Sequence, residues 1–470
     1  EYIPSPFNGL ISKYSANKAI LFKKDKIIII AKQKLFFPPI FRIVILTKLI
    51  ILLYLIMQKN VFLIIFILFS LNTICFAQSQ TIELGIDILQ KSNFSQITSK
   101  RVALLTNFSG RDSKQQLSAE ILRSTSQVKL TLILTPEHGF YGNFSSGANV
   151  DNSQYKGIPV LSLYGNSKII PYSYAEQFDA IIVDIQDIGV RAYTFISTLY
   201  YVMQSAAEYN KPVIILDRPN PLGGMIVDGN VLDINFRSYI GLLPVPYIYG
   251  MTIGEIATMM NEENWLSDSK NQNIKCNLTI IKMQGWERWM QWEDTQLPWF
   301  PTSPNISSPD AIRGIAMLGW IGELSLFSIG IGTNMPFQYF GSPDFSQSLI
   351  EFTSDIEFTA TRLFPTQFQP TYGKYANQIC NGFFLIFEKD NSFCPFSNGI
   401  ELLLILRKFY PELFKSEKID YNKIQMFEKA TGTDHIYNLL FNNGSDEEIR
   451  QTSINGIEKF IKIRQKYLLY

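Results

Sequence analysis

From Arg101 onward the chain alternates short apolar runs with amphipathic stretches, and this alternation constrains the fold more than any other feature. The runs Val102–Thr106, Lys129–Leu134, Pro159–Leu163, Ala180–Asp184 and Pro212–Leu216 have the length and continuity of strands buried on both faces. Helical segments such as Gln116–Arg123 and Ile196–Tyr209 separate them, which predicts crossover connections and a Rossmann-like, open, mainly parallel α/β sheet. The turn after the first strand reads Thr106-Asn107-Phe108-Ser109-Gly110-Arg111 and carries no G-x-G-x-x-G. It lacks the glycines that let a dinucleotide pyrophosphate approach the backbone, so no cofactor is expected. A rigid segment from Pro298 to Pro309 fits neither a regular helix nor a central strand. The boundary is placed there, giving a Rossmann-like domain over residues 78–308 and a smaller α+β domain over 309–470. The second unit combines strand-like Gly382–Phe387, helical Gly399–Phe409 and a charged helix near Ile454–Tyr467.

The 470 residues are 46% hydrophobic, enough for two domains with real cores. Lys plus Arg (42) nearly cancel Asp plus Glu (41), which leaves no long-range field to recruit nucleic acid or an anionic membrane. With two histidines and no C-x-x-C or H-E-x-x-H spacing, no metal site is expected. Residues 1–56, rich in Lys, Ile and Leu without usable periodicity, read as an upstream extension. Residues 57–77 read as a signal peptide: Lys59 is the charged start, Val61–Leu71 the apolar core and Cys75-Phe76-Ala77 the cleavage site. A membrane anchor is the competing reading, but Arg42 and Lys48 interrupt Ile40–Ile56 and the Val61 run is short for a span. The expected product is exported, periplasmic or secreted, begins near Gln78 and keeps no stable membrane span. Three cysteines then remain, of which Cys380 and Cys394 are nearest in sequence and the candidate disulfide.

Ligands of open parallel sheets bind beyond the carboxyl ends of the strands. Three such loops carry chemistry: Thr135-Pro136-Glu137-His138-Gly139-Phe140-Tyr141-Gly142, Asp184-Ile185-Gln186-Asp187-Ile188-Gly189-Val190-Arg191-Ala192-Tyr193-Thr194-Phe195, and Asp217-Arg218-Pro219-Asn220-Pro221-Leu222-Gly223-Gly224. Carboxylates, arginines, an asparagine and aromatics gathered at one sheet edge suit glycoside hydrolysis, which uses one carboxylic acid and a second group as base, nucleophile or electrostatic partner. Glu137, flanked by His138 and Phe140 and partly desolvated, would have its pKa raised toward the general-acid range. A helix cap or salt bridge is its structural alternative. Asp184 and Asp187 compete for the second role, one of them being a candidate to hold its loop through backbone N–H groups. Arg191 and Arg218 are placed as forks for a substrate carboxylate, or as ion pairs with neighbouring aspartates. Tyr193 is placed at the reacting ring, or in packing. No G-x-S-x-G elbow supports a serine hydrolase.

These three loops, followed by Tyr249-Gly250-Met251-Thr252-Ile253-Gly254-Glu255 and Pro301-Thr302-Ser303-Pro304-Asn305-Ile306, resemble in order and spacing the motifs of the NamZ-type exo-β-N-acetylmuramidases, over roughly residues 81–470. The resemblance implies a Rossmann-like catalytic part with a smaller C-terminal part, release of N-acetylmuramic acid from the non-reducing end of peptidoglycan-derived muramyl saccharides, and Glu137 as the catalytic residue. It also implies a lactyl carboxylate for Arg191 or Arg218 to bind, with His138, Asn220 and Asn305 as further substrate contacts. One departure stands out: the family's G-R-G is Gly330-Ile331-Gly332 here, while Glu323 remains as another carboxylate candidate. A non-catalytic binder of cell-wall sugars, or an esterase or amidase, is the alternative reading.

Overall fold

The computed structural model describes residues 46–58 and 82–470 except 166, 416 and 418. Residues 46–58 are helical with exposed apolar side chains and belong to a unit separate from Gln80–Tyr470. No helix among the described residues is long and apolar enough to cross a membrane. The signal-peptide reading falls outside the described residues, apart from Met57 and Gln58 at the end of that helix.

Seven strands form the main sheet: β1 (Arg101–Thr106), β2 (Lys129–Thr135), β3 (Ser153–Tyr155), β4 (Ile158–Ser162), β5 (Ala180–Asp184), β6 (Val213–Leu216) and β7 (Leu278–Ile281). Their order is β3-β4-β2-β1-β5-β6-β7, and every pairing is parallel except that of β3 with β4. Without β3 this is the doubly wound order in which the chain reverses direction across the sheet between β1 and β5. The continuous apolar runs arise because both faces are covered: in β1, Ala103 and Leu105 enter one core while Val102 and Leu104 enter the other. Helices Phe195–Glu208 and Ile253–Glu262 cover the first face; Gly85–Lys91 and Ser118–Ser124 cover the second.

The smaller sheet is antiparallel, ordered β8-β10-β9 from β8 (Tyr339–Ser342), β9 (Thr361–Phe368) and β10 (Cys380–Phe387). Helices Pro309–Gly322 and Pro395–Phe409 accompany it, and Trp320 of the first stacks on Phe396 of the second at 4.5 Å. Ser308 caps the first of these helices by accepting from Ala311 N, and Pro309 occupies its first turn, where no N–H is missed. The core on the first face of the main sheet runs without a break into this part of the chain.

The three described cysteines are free, so the expected Cys380–Cys394 disulfide does not form. Cys380 opens β10, whereas Cys394 immediately precedes the helix that follows the strand's far end. Cys380 pairs with Phe368, whereas Asn398, one turn past Cys394, bonds Thr361 at the other end of β9, so about eight extended residues at roughly 3.3 Å each lie between the cysteines, too far for a disulfide.

Candidate active site

Where β2 ends, His138 (φ 73°) and Gly139 (φ 76°) take the left-handed conformation, and the chain turns sharply enough to direct Glu137 inward. His138 Nδ1 lies 2.7 Å from the Phe144 carbonyl, which can only accept, so this nitrogen carries the proton and the ring braces the turn. Glu137 is only 4% exposed. Its Oε1 accepts from Gly147 N (2.9 Å) and Ser146 Oγ (3.2 Å), both on an exposed loop. Its Oε2 accepts from Thr194 Oγ1 (2.7 Å), at the start of the helix that follows β5. One carboxylate is thus fixed from two strand-end loops with β1 between them.

Tyrosines surround it. Tyr164, just past β4, has its hydroxyl pushed up to about 12, by burial first and then by the Glu137 carboxylate. The Tyr239 ring packs 5.6 Å from that of Tyr164, and its hydroxyl is raised chiefly by burial. Tyr193 is buried, donates to Thr302 Oγ1 (2.7 Å) and is raised by burial, with Asp187 and Glu137 adding to the effect. Its phenol therefore lies within the field of both carboxylates.

Asp187 differs sharply from Asp184. Asp187 Oδ2 accepts from Gly189 N (2.8 Å) and from the Tyr249 hydroxyl, while the buried Oδ1 has no donor among the described residues. Burial pushes this carboxyl up to about 6 against those donors. A carboxyl raised above its ordinary value of about 3.9 keeps its proton in the folded state when the unfolded chain has lost it. Its contribution to stability is therefore largest at low pH and falls as the pH climbs from about 4 to about 6, then levels off. Asp217, also raised to about 6 by burial, slopes the same way. Asp187→Asn is expected to flatten part of that slope and raise the melting temperature above about pH 6, read from thermal melts across the range. An unchanged slope would mean that Asp187 is ionised throughout.

Several residues expected at the substrate are committed elsewhere. Asp184, fully buried, takes Arg218 Nε on Oδ1 (2.5 Å), Arg218 Nη2 on Oδ2 (2.9 Å) and the Ser118 hydroxyl. Arg218 Nη2 also donates to the Arg111 carbonyl (2.6 Å), so the pair is an internal brace between β5, β6 and the loop after β1. Arg191, expected as a fork for a carboxylate or as the partner of an aspartate, meets neither. Its Nη1 donates to the Asn230 and Val245 carbonyls (2.7 and 2.8 Å) and its Nη2 to those of Ala430 and Thr431 (3.2 and 2.7 Å). Burial lowers it to about 10. Asn220 Nδ2 donates to the Met251 carbonyl (3.0 Å) and Oδ1 accepts from Leu222 N (3.0 Å), while the side chain packs on Gly189 where a Cβ would clash at 2.4 Å. Half-buried Asn305 accepts from Tyr372 (3.3 Å). Glu323 lies past the helix Pro309–Gly322; burial raises its carboxyl, Lys423 opposes that, and its neighbour Tyr247 is not one of Glu137's. Ile331 packs against Gly373, next to Tyr372.

The sequence reading missed Thr194 and the Ser146-Gly147 donors as partners of Glu137, and Tyr164 and Tyr239 as the rings beside it. Thr194 stood inside a motif already singled out, and Tyr164 just beyond a strand end; the pairing of either with Glu137 depends on how the loops fold back.

Fold and site together define a doubly wound α/β protein with a buried carboxylate held across the loops after β2 and β5, joined to a smaller antiparallel domain. The N-terminal domain of the exo-β-N-acetylmuramidase NamZ matches residues 102–310, and its C-terminal domain matches residues 316–470. The chain belongs to the NamZ exo-β-N-acetylmuramidase family. It is 32% identical over 397 residues, 84% of this chain and 92% of the relative, to the peptidoglycan β-N-acetylmuramidase NamZ of Bacillus subtilis strain 168. Two crystal structures of DUF1343 family proteins from Bacteroides fragilis NCTC 9343 share the fold. One has a TM-score of 0.76 at 32% identity and the other 0.65 at 28%, each alignment covering 83% of this chain and 99% of the other.

Proposed function

We propose that this chain is an exo-acting β-N-acetylmuramidase that releases N-acetylmuramic acid from the non-reducing end of peptidoglycan fragments. The observation that carries the reading is Glu137: a carboxyl group buried at a strand end, oriented by Gly147, Ser146 and Thr194, in a family whose Bacillus relative is a peptidoglycan β-N-acetylmuramidase. Glu137 protonates the glycosidic oxygen as the bond to the aglycone breaks. Of the two aspartates at the end of β5 and in the loop after it, only Asp187 keeps an oxygen without a partner among the described residues, so it is the better candidate for the second carboxyl role. Tyr193, in the field of both, orients the ring between them. Export to the periplasm or beyond, and with it a part in cell-wall recycling, rests on the leader-like residues 57–77.

The test is release of a chromophore from a β-linked N-acetylmuramic acid glycoside beside its N-acetylglucosamine counterpart. The expected result is turnover of the muramic substrate with little of the other. Binding without release would make the chain a non-catalytic sugar binder. Preference for the glucosamine substrate would place the change in sugar choice at the Ile331 departure.

A further inference from the structure

N-Acetylmuramic acid differs from N-acetylglucosamine by a lactyl ether that ends in a carboxylate, and a cation near the reacting sugar is the strongest device for telling them apart, since a charge-assisted hydrogen bond forms with the acid alone. Arg191 and Arg218 are spent on internal carbonyls and on Asp184. Arg111 is sandwiched between Phe108 and Phe300, its guanidinium 4.1 and 4.3 Å from their ring centres.

Lys168 is placed differently. The chain leaves β4 through Tyr164, and Gly165 is left-handed (φ 93°), with Asn149 Oδ1 2.9 Å from where a Cβ would stand. Ser167 Oγ donates to the Ile169 carbonyl (2.9 Å) and fixes the turn that presents Lys168. Lys168 Nζ sits 4.5 Å above the centre of the Tyr239 ring, half-buried, and forms no ion pair among the described residues. Tyr239 in turn packs on Tyr164, whose hydroxyl lies in the field of the Glu137 carboxylate, and anchors its own hydroxyl to Thr198 (2.8 Å). A wall of two packed tyrosines thus runs from beside Glu137 to an ammonium group that has no carboxylate partner among the described residues. A cation held on an aromatic face is only partly neutralised by the ring quadrupole, and a carboxylate arriving beside it forms a charge-assisted hydrogen bond.

We propose that Lys168 receives the lactyl carboxylate and so sets the choice of muramic acid over glucosamine; this rests on the muramidase reading above. Lys168 touches the substrate but takes no part in bond breaking, so its effect belongs in KM.

The experiment compares the chromogenic β-N-acetylmuramic acid glycoside with its lactyl methyl ester, for the wild type, Lys168→Met and Lys168→Arg. Lys168→Met is expected to raise KM for the acid about 10- to 100-fold with kcat little changed, and to leave KM for the ester unaltered. Lys168→Arg, which keeps the charge, restores most of the affinity for the acid. Equal losses on acid and ester would show that Lys168 only supports the Tyr239 wall, and no change on either would show that the carboxylate binds elsewhere; both overturn the assignment. Failure of the wild type on acid and ester alike would instead overturn the muramidase reading itself.

Discussion

Glu137→Gln is expected to lower kcat on a β-N-acetylmuramic acid glycoside by about 10²- to 10⁴-fold, the usual contribution of a positioned general acid. The substitution isolates the proton because it preserves the shape of the site. A glutamine oxygen still accepts from Gly147 N and Ser146 Oγ, which now hold Oε1. The amide nitrogen faces Thr194 Oγ1, a hydroxyl that donates to Oε2 in the native site and can rotate to accept. With the Gly147, Ser146 and Thr194 contacts all kept, the melting temperature should stay within roughly 2 °C of wild type. Activity is followed by chromophore release and folding by thermal denaturation on the same preparation. A variant that melts normally and still turns over would remove Glu137 from the chemistry. One that loses activity together with its fold would show that the charge itself holds the loop, and Thr194→Val, which deletes a single donor, would then separate positioning from collapse.

The sequence revealed Glu137 for a geometric reason: a carboxylate two residues past a buried strand lies at the carboxyl edge of a parallel sheet whatever its loop does next. The same logic located β1, β2, β4, β5 and β6 within two residues at either end, because strands covered on both faces must be apolar throughout. It fails where burial is one-sided. β7 is four residues long at the sheet edge and only partly covered, with Thr279 exposed and Ile281 alone fully buried, and β9 runs buried and exposed by turns around Pro365, so neither presents a long continuous apolar run. The helix Pro309–Gly322 has no counterpart in the sequence reading, which takes only Pro309 as the end of the proline-rich segment, although Ser308 followed by Pro309 is itself a helix-start signal. For the arginines the sequence carries no discriminating information. Arg191, bound to carbonyls from residues 230, 245, 430 and 431, and Lys168, held over a tyrosine, are both cations in strand-end loops; only the fold decides which one retains a charge to offer.

Arg218 puts that distinction to a measurable test. Arg218→Met keeps most of the side-chain length and removes both donors to Asp184, leaving that carboxylate with the Ser118 hydroxyl and the low-dielectric interior. The two partners are 3% and 0% exposed, so water cannot replace the lost contact without opening the junction of β5 and β6. Breaking a buried pair from one side costs about 3–5 kcal/mol, because the price is set by the stranded charge more than by the attraction lost. Removing that charge as well should therefore return part of the stability: Asp184→Asn in the Arg218→Met background is expected to be more stable than Arg218→Met alone, since the amide oxygen can still accept from Ser118. Urea denaturation of the two single variants and the double variant measures this coupling. If Arg218 instead served as the substrate's carboxylate fork, Arg218→Met would fold like wild type and show its whole effect in KM; a destabilised chain partly rescued by Asp184→Asn assigns Arg218 to the frame and leaves carboxylate recognition to a cation outside the core.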